Sequence, residues 1–278
     1  MKKFFNLDEL TEVVKKYPAR LGICVNFDEQ QFYEYCGTEK FDTACSIMVF
    51  ILLEYVHQLF KKKLSDKEFL TYTEENFATG SGTIKFLPFG SKIKVEDAVE
   101  LMIAASDHIA ANLLIEALGL DAINKTIERY GFFHTELKKK FLIPKVKNIG
   151  TSTPRDYTHF FTALENNQLV SAEASEFMKK ILLKQKYKDI LSENIFKLPS
   201  ATFFIDVASK SGKADGKIYD NFTDSYIVDG GIVYTTKGNY EISLFAEIDC
   251  NLGLTLNQVK AFMQDLSANF FMMFLKRA

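Results

Sequence analysis

Segments that alternate apolar and polar residues stand at the two ends of this chain, and the long stretch between them repeats with helical spacing. Leu21–Phe27 and Gln31–Cys36, turned around Asp28-Glu29-Gln30, read as a first pair of strands. Phe203–Ser209, Asp224–Thr236 and Tyr240–Asp249 read as three later strands, rich in β-branched residues. Between them the apolar residues of Cys45–Lys62, Val95–Ala105, Asp107–Leu118, Leu120–Tyr130, Pro154–Asn166 and Ala172–Lys186 recur at helical intervals, with no secure strand among them. A helix capped by Asn6 runs to Tyr17, and another, Leu256–Lys276, closes the chain. A sheet drawn from both ends of a chain forces the intervening helices into a body of their own. The pattern therefore predicts an α/β (α+β) fold in a single domain. A discontinuous sheet-bearing subdomain, 1–44 and 191–278, would enclose an all-helical subdomain, 45–190. The cleft between two such bodies is a favoured place for a ligand.

Composition removes several classes of function. With 278 residues, 47% hydrophobic and 25% charged, the chain can bury a large core. A net charge of −2 offers no broad basic field, so nucleic acid is not an expected partner. The apolar run Phe270–Leu275 is far shorter than the about twenty residues that cross a bilayer, and Asp8 and Glu9 break the apolar start of the chain. No membrane association is expected, and a cytoplasmic location is. Cys24, Cys36, Cys45 and Cys250 form no C-x-x-C pair and read as reduced thiols, although Cys24 and Cys36 fall on adjacent strands that a bridge could join. His57, His108, His134 and His159 lack metal-ligand spacing, and Gly80-Ser81-Gly82 is followed by no phosphate-loop pattern. Neither a metal nor another cofactor is expected.

Three short motifs carry the chemistry. Cys45-Ser46-Ile47-Met48 opens the apolar stretch Val49–Val56; Ser106-Asp107-His108 begins a helix; Lys210-Ser211-Gly212 follows a strand. Their order resembles the S-x-x-K, S-D-N and K-T/S-G motifs of class A β-lactamases and penicillin-binding serine hydrolases. The run Ser106 to Leu114 is similar to that family's S-D-N-x-A-x-N-L-L, and Thr151 to Asp156 to its T-S/T-x-x-D segment. The bend at Gly80–Gly82 resembles the one that precedes the family's site. The resemblance spans essentially the whole chain. It implies a five-stranded antiparallel sheet flanked by helices, with the helical subdomain inserted after the first two strands. It makes Cys45 the nucleophile, Ser106 the proton relay, and Lys210 the cation that supports the relay and binds a substrate carboxylate. Ser211, Gly212, Lys213 and Asn112 fall on the substrate side, and the backbone N–H groups of Cys45 and Lys213 would form the oxyanion hole.

The departures from the family pattern bear on activity. Cys45 replaces the serine, Met48 the lysine and His108 the asparagine. A methionine accepts no proton, and loss of a positioned base typically costs ~10² to 10⁴ in rate. A thiol tolerates that loss better than a hydroxyl, since at an ordinary pKa roughly 3% of it is ionised at pH 7. A helix N-terminus at Cys45 would lower its pKa further, and His108 is placed to serve as the base in a Cys-His site. Taking Ser46 as the nucleophile instead puts Val49 at the lysine position and gains nothing. Asp107 is expected to be structural. The family's deacylating glutamate has no counterpart, because Lys138–Gly150 contains five lysines and no carboxylate. The chain thus reads as a β-lactamase-like hydrolase of weakened or altered chemistry, acting on a β-lactam, amide, ester or thioester through an acyl-cysteine. The alternative is a catalytically silent relative that binds a carboxylate-bearing small molecule or a partner in the same cleft. Oligomeric state is not legible.

Overall fold

A computed structural model describes residues 4–141, 149–216 and 224–277. Helix α1 (Leu7–Lys16) starts at Asn6, whose side chain accepts from Glu9 N while Glu9 returns the bond to Asn6 N, the capping box that Asn6 foretold. Strands β1 (Arg20–Phe27) and β2 (Gln30–Tyr35) follow. Their turn is one residue tighter than expected, because Asp28 and Glu29 both take positive φ (51° and 64°), as a two-residue hairpin loop demands.

Beyond β3 (Phe41–Asp42), a 3₁₀ turn at Ala44–Ile47 leads into α2 (Met48–Phe60). Every residue from Met48 to His57 is buried, so α2 is apolar all round and lies at the centre of the helical body. The region expected to be wholly helical holds four short strands besides α3 (Val95–Ala104), α4 (His108–Leu118) and α5 (Leu120–Arg129). These are β4 (Phe69–Thr71), β5 (Lys92–Lys94), β6 (Glu136–Leu137) and β7 (Gly150–Ser152). Two or three residues are too few for a period-2 pattern to register. Then come α6 (Pro154–Glu165), α7 (Ala172–Leu182) and α8 (Asp189–Phe196). The helix predicted over 172–186 stops at Leu182, and α8 went unpredicted. Strands β8 (Phe204–Ser209), β9 (Gly212–Ala214), β10 (Asp224–Thr235) and β11 (Gly238–Asp249), with α9 (Leu256–Arg277), complete the chain.

The main sheet is antiparallel in the order β2-β1-β11-β10-β8, which is the five-stranded sheet expected. Its outer strand is broken: β8 and β9 both pair with β10, β8 along Gly231–Thr235 and β9 along Tyr226–Val228. The break falls at Lys210-Ser211, so the sheet edge itself places the third motif. Successive residues of β10 point to opposite faces, and Ile227 joins a core with α1, α8 and α9 whereas Val228 joins one with α2 and α6. Each fully buried aromatic in these cores, such as Phe50, Phe160 or Phe245, stabilises the fold by about 1.5–3 kcal/mol. Cys24 and Cys36 are free; Cys24 stands opposite Glu34, and burial pushes its thiol up to about 12. Among the described residues no helix is long and apolar enough to cross a membrane.

Candidate active site

Cys45 sits in the 3₁₀ turn ahead of α2, not in the first turn of the helix. The turn begins with Ala44 in the left-handed region (φ 45°), a conformation that costs a non-glycine residue of order 1 kcal/mol. Asp42 Oδ1 holds it by accepting from Ala44 N at 2.9 Å, and Ser46 Oγ donates to Thr43 O at 2.8 Å. Ser46 is thereby buried and spent on its own turn, which removes it as a rival nucleophile. Met48 is wholly inside the core.

The second motif is braced by Asp107. Its Oδ1 accepts from Ile109 N and Ala110 N, both at 3.0 Å, capping α4; its Oδ2 accepts from Thr83 N at 2.6 Å and Ile84 N at 3.0 Å. Gly82 passes so close that a Cβ would lie 2.1 Å from the Asp107 carboxyl carbon and 2.3 Å from Oδ2, and its φ is +108°, so only glycine fits. His108 N donates to Ser81 O at 3.1 Å. Thus clamped, the start of α4 points the His108 ring at the thiol, with Nε2 3.0 Å from Cys45 Sγ. The other ring nitrogen, Nδ1, is buried and has no partner among the described residues. Among the described residues no third group fixes the tautomer; the ring is held by packing against Phe141, 5.2 Å between centroids. Asn112 fixes Phe141 in turn: its Oδ1 accepts from Phe141 N at 2.6 Å, and its Nδ2 donates to Phe141 O at 3.2 Å and Asn76 O at 3.0 Å. Fully buried and fully bonded, Asn112 supports the site from behind and does not line the cleft, whereas it was expected on the substrate side.

Lys210 lies at the break in the sheet edge, where its N donates to Gly230 O at 3.1 Å. Its Nζ donates to Ser106 Oγ at 2.5 Å and to Ser211 O at 2.7 Å. Ser106 itself takes positive φ (51°), which turns its hydroxyl toward this ammonium. Tyr157, buried beneath, donates to Lys210 O at 2.7 Å and lies 3.2 Å from Ser46 O, tying the third motif to the nucleophile's turn. Lys210 is completely buried, so its cation faces Ser106 and not the cleft. Burial draws its pKa down to about 8, opposed by Cys45 and by the buried Asp229. Asp229 is held well above the carboxylate range by burial, against the pull of Lys210.

Ser211 Oγ donates to Tyr187 O at 3.1 Å. Gly212 packs backbone to backbone against the nucleophile: a Cβ there would lie 2.5 Å from Ser46 N and 2.7 Å from both Cys45 N and Thr43 O. This contact brings the start of β9, which carries Lys213, against the amide of Cys45. Gly212→Ala is expected to cost about 1–3 kcal/mol in urea denaturation, since neither backbone can yield easily, and to reduce Cys45 reactivity by parting β9 from that amide.

The cleft over these groups is about 270 Å³ and is lined by Cys45, Ser106, Ser211, Gly212 and Lys213 among others. Only 6% of Cys45 is exposed, and burial raises its pKa; Lys210 and Lys213 pull it down, while Asp42 pushes it up. The thiolate that a helix N-terminus would have favoured does not form at rest, because desolvation outweighs both cations. Burial, reinforced by Lys210 and Lys85, takes the His108 pKa down to about 4. The resting pair near neutral pH is therefore thiol and neutral imidazole. Among the described residues no group of three His, Cys, Asp or Glu side chains is placed to hold a metal. Residues 142–148 of the carboxylate-free stretch lie outside the described residues.

Residues 7–271 match the model of the beta-lactamase enzyme family. Beta-lactamase BRO-1 of Moraxella catarrhalis is 24% identical over 181 residues, 63% of this chain, and the chain spans only 58% of that relative's length. Among solved structures, PBP-A superposes with a TM-score of 0.84 at 19% identity, covering 97% of this chain and 95% of that one. The β-lactamase of Sphaerobacter thermophilus gives 0.80 at 22%, covering 92% of each chain. The chromosome-encoded β-lactamase of Vibrio parahaemolyticus gives 0.80 at 18%, covering 96% of this chain and 98% of that one. Such low identities speak for the fold alone. The match to the family model over nearly the entire length carries more: this chain belongs to the beta-lactamase enzyme family.

Proposed function

We propose that the cleft forms an acyl-enzyme on Cys45 from a strained amide, ester or thioester that bears a carboxylate, and releases the acyl group slowly. The observation that carries this reading is the 3.0 Å approach of His108 Nε2 to Cys45 Sγ, which puts a neutral base on the nucleophile that Met48 leaves without one. In the acylation step the sulfur attacks the carbonyl carbon as its proton passes to Nε2. The carbonyl oxygen becomes an oxyanion between the N–H groups of Cys45 and Lys213. When the carbon–nitrogen, carbon–oxygen or carbon–sulfur bond breaks, the leaving atom takes a proton from Ser106, which Lys210 or the imidazolium restores. For deacylation the segment Lys138–Gly150 supplies no carboxylate, so water must rely on His108. Capture of an acyl-enzyme has a parallel in a structural neighbour: a point mutant of PBP-A has been solved as an acyl-enzyme complex with penicillin G.

A catalytically silent member that only binds a carboxylate-bearing ligand is the rival reading, and the raised thiol pKa favours it. We also propose a reducing location such as the cytoplasm, on the ground that Cys24, Cys36 and Cys45 are free thiols. Release of thiol from S-phenyl monothioglutarate, an aryl thioester that bears a carboxylate, measured beside Cys45→Ala protein, decides between the two functions. A burst of one equivalent followed by a slow phase is expected, and a silent protein gives no burst.

A further inference from the structure

The cleft has a second lobe that the acylation step does not use. Beside the inner lobe lies an outer one of about 330 Å³, bordered by Gly80, His108 and the first residues of α9; Ser81, Lys213, Ile227 and Lys260 border both lobes. The cations are unequal. Lys210 is sealed, borders neither lobe, and gives its donors to Ser106 and Ser211 O. Lys260 is ion-paired with Asp189, and Lys85 donates to Gly80 O at 2.7 Å. Lys213 is exposed, and among the described residues it makes no ion pair. Asp215, the carboxylate on the outer rim, already has a partner.

Two further features mark the outer lobe as a place for a ligand. The first turn of α9 at its border carries no acidic residue; Thr255 takes Gln258 N and Val259 N, so the positive end of the helix dipole faces the lobe with no carboxylate of its own turn to offset it. His108, only 4% exposed, also borders this lobe, and its Nδ1 has no partner among the described residues. An unpartnered buried polar atom costs about 1–3 kcal/mol, which a bound ligand group relieves.

We infer that Lys213, and not Lys210, takes the carboxylate of the substrate, holding it at the outer lobe against the start of α9 while the reacting carbonyl sits over Cys45. The position of the carbonyl rests on the acyl-cysteine reading; the anion site does not. Lys213 thus becomes the specificity residue of this cleft. Its ammonium already acts on Cys45, whose pKa it lowers.

The test removes acylation first. In Cys45→Ala protein, phenylacetylglycine and its neutral primary amide are titrated by calorimetry. The carboxylate is expected to bind about tenfold more tightly, the scale of one charge-assisted hydrogen bond. Lys213→Gln, a surface change that leaves the fold intact, should erase that advantage and leave affinity for the amide unchanged. Equal binding of both compounds, binding of neither, or an advantage that survives Lys213→Gln overturns the inference. A neutral phenylacetyl thioester applied to the Cys45 protein reports on the acyl reading separately. Failure of that acylation beside a Lys213-dependent carboxylate preference sinks the reading and keeps the anion site, and the opposite pair of results does the reverse.

Discussion

His108→Gln is expected to slow acylation of Cys45 by a phenylacetyl thioester ~10²- to 10⁴-fold at pH 7, the range for removal of a positioned base. Glutamine keeps bulk against Phe141 and a polar tip near the sulfur, so the loss reports on proton acceptance. The pH profile separates this effect from a loss of structure. Burial keeps His108 neutral down to about pH 4, so the native protein retains its base throughout the physiological range. Burial also raises the Cys45 thiol, so ionisation without a base becomes important only in alkaline solution. The two rate curves should diverge near neutrality and converge above the thiol's own pKa. A common curve at all pH values removes His108 from the mechanism. Stability gives a second readout. Between about pH 6.5, where an unfolded histidine protonates, and about 4, where His108 does, the unfolded chain binds more protons than the folded one. Native stability therefore falls as pH falls through that window, and His108→Gln abolishes this part of the slope.

Asp107→Ala has the largest expected effect on stability, a loss of about 3 kcal/mol or more in chemical denaturation. Four backbone N–H groups, at Thr83, Ile84, Ile109 and Ala110, lose their acceptor together, and each left buried and unsatisfied costs about 1–3 kcal/mol before water or relaxation compensates. Asp107 is wholly buried, so water has poor access. Ser106 and His108 flank it, and Ser81 hangs from His108 N. Cys45 reactivity should therefore fall together with stability. Asp107→Asn should fall between, because an amide keeps one acceptor and turns an NH₂ toward a pair of donors. A cost below 1 kcal/mol for the alanine variant would mean that the loop at 80–84 is held by something else.

The sheet and the three motifs were legible because each has its own signal: alternation at the two ends of the chain, and residue types whose chemistry fits their order. Asp107 was expected to be structural and is, although the helix read from Asp107 begins one residue later, with Asp107 as its cap. Other features were not. Ala44 and Ser106 carry no mark of their left-handed backbone, since neither is glycine or asparagine. Tyr157 reads as one more apolar position of α6, although it bridges two motifs; its one trace in the sequence is the pair Gly230-Gly231, where a Cβ on Gly230 would lie 2.7 Å from the tyrosine ring. Asn112 shares a motif with substrate-facing residues, and only its three backbone contacts reveal that it faces inward. The direction of the Cys45 pKa was misjudged from sequence because motif position suggests a helix end, whereas desolvation depends on everything packed around the sulfur.

Peptide mass mapping after brief exposure to the phenylacetyl thioester, and separately to penicillin G, tests most directly whether Cys45 is a working nucleophile. A phenylacetyl mass on the peptide holding Cys45 with the thioester, absent in Cys45→Ala, is the predicted result, and penicillin G should add its whole mass at the same residue. An unmodified Cys45 with both reagents, in protein shown to be folded, would contradict it.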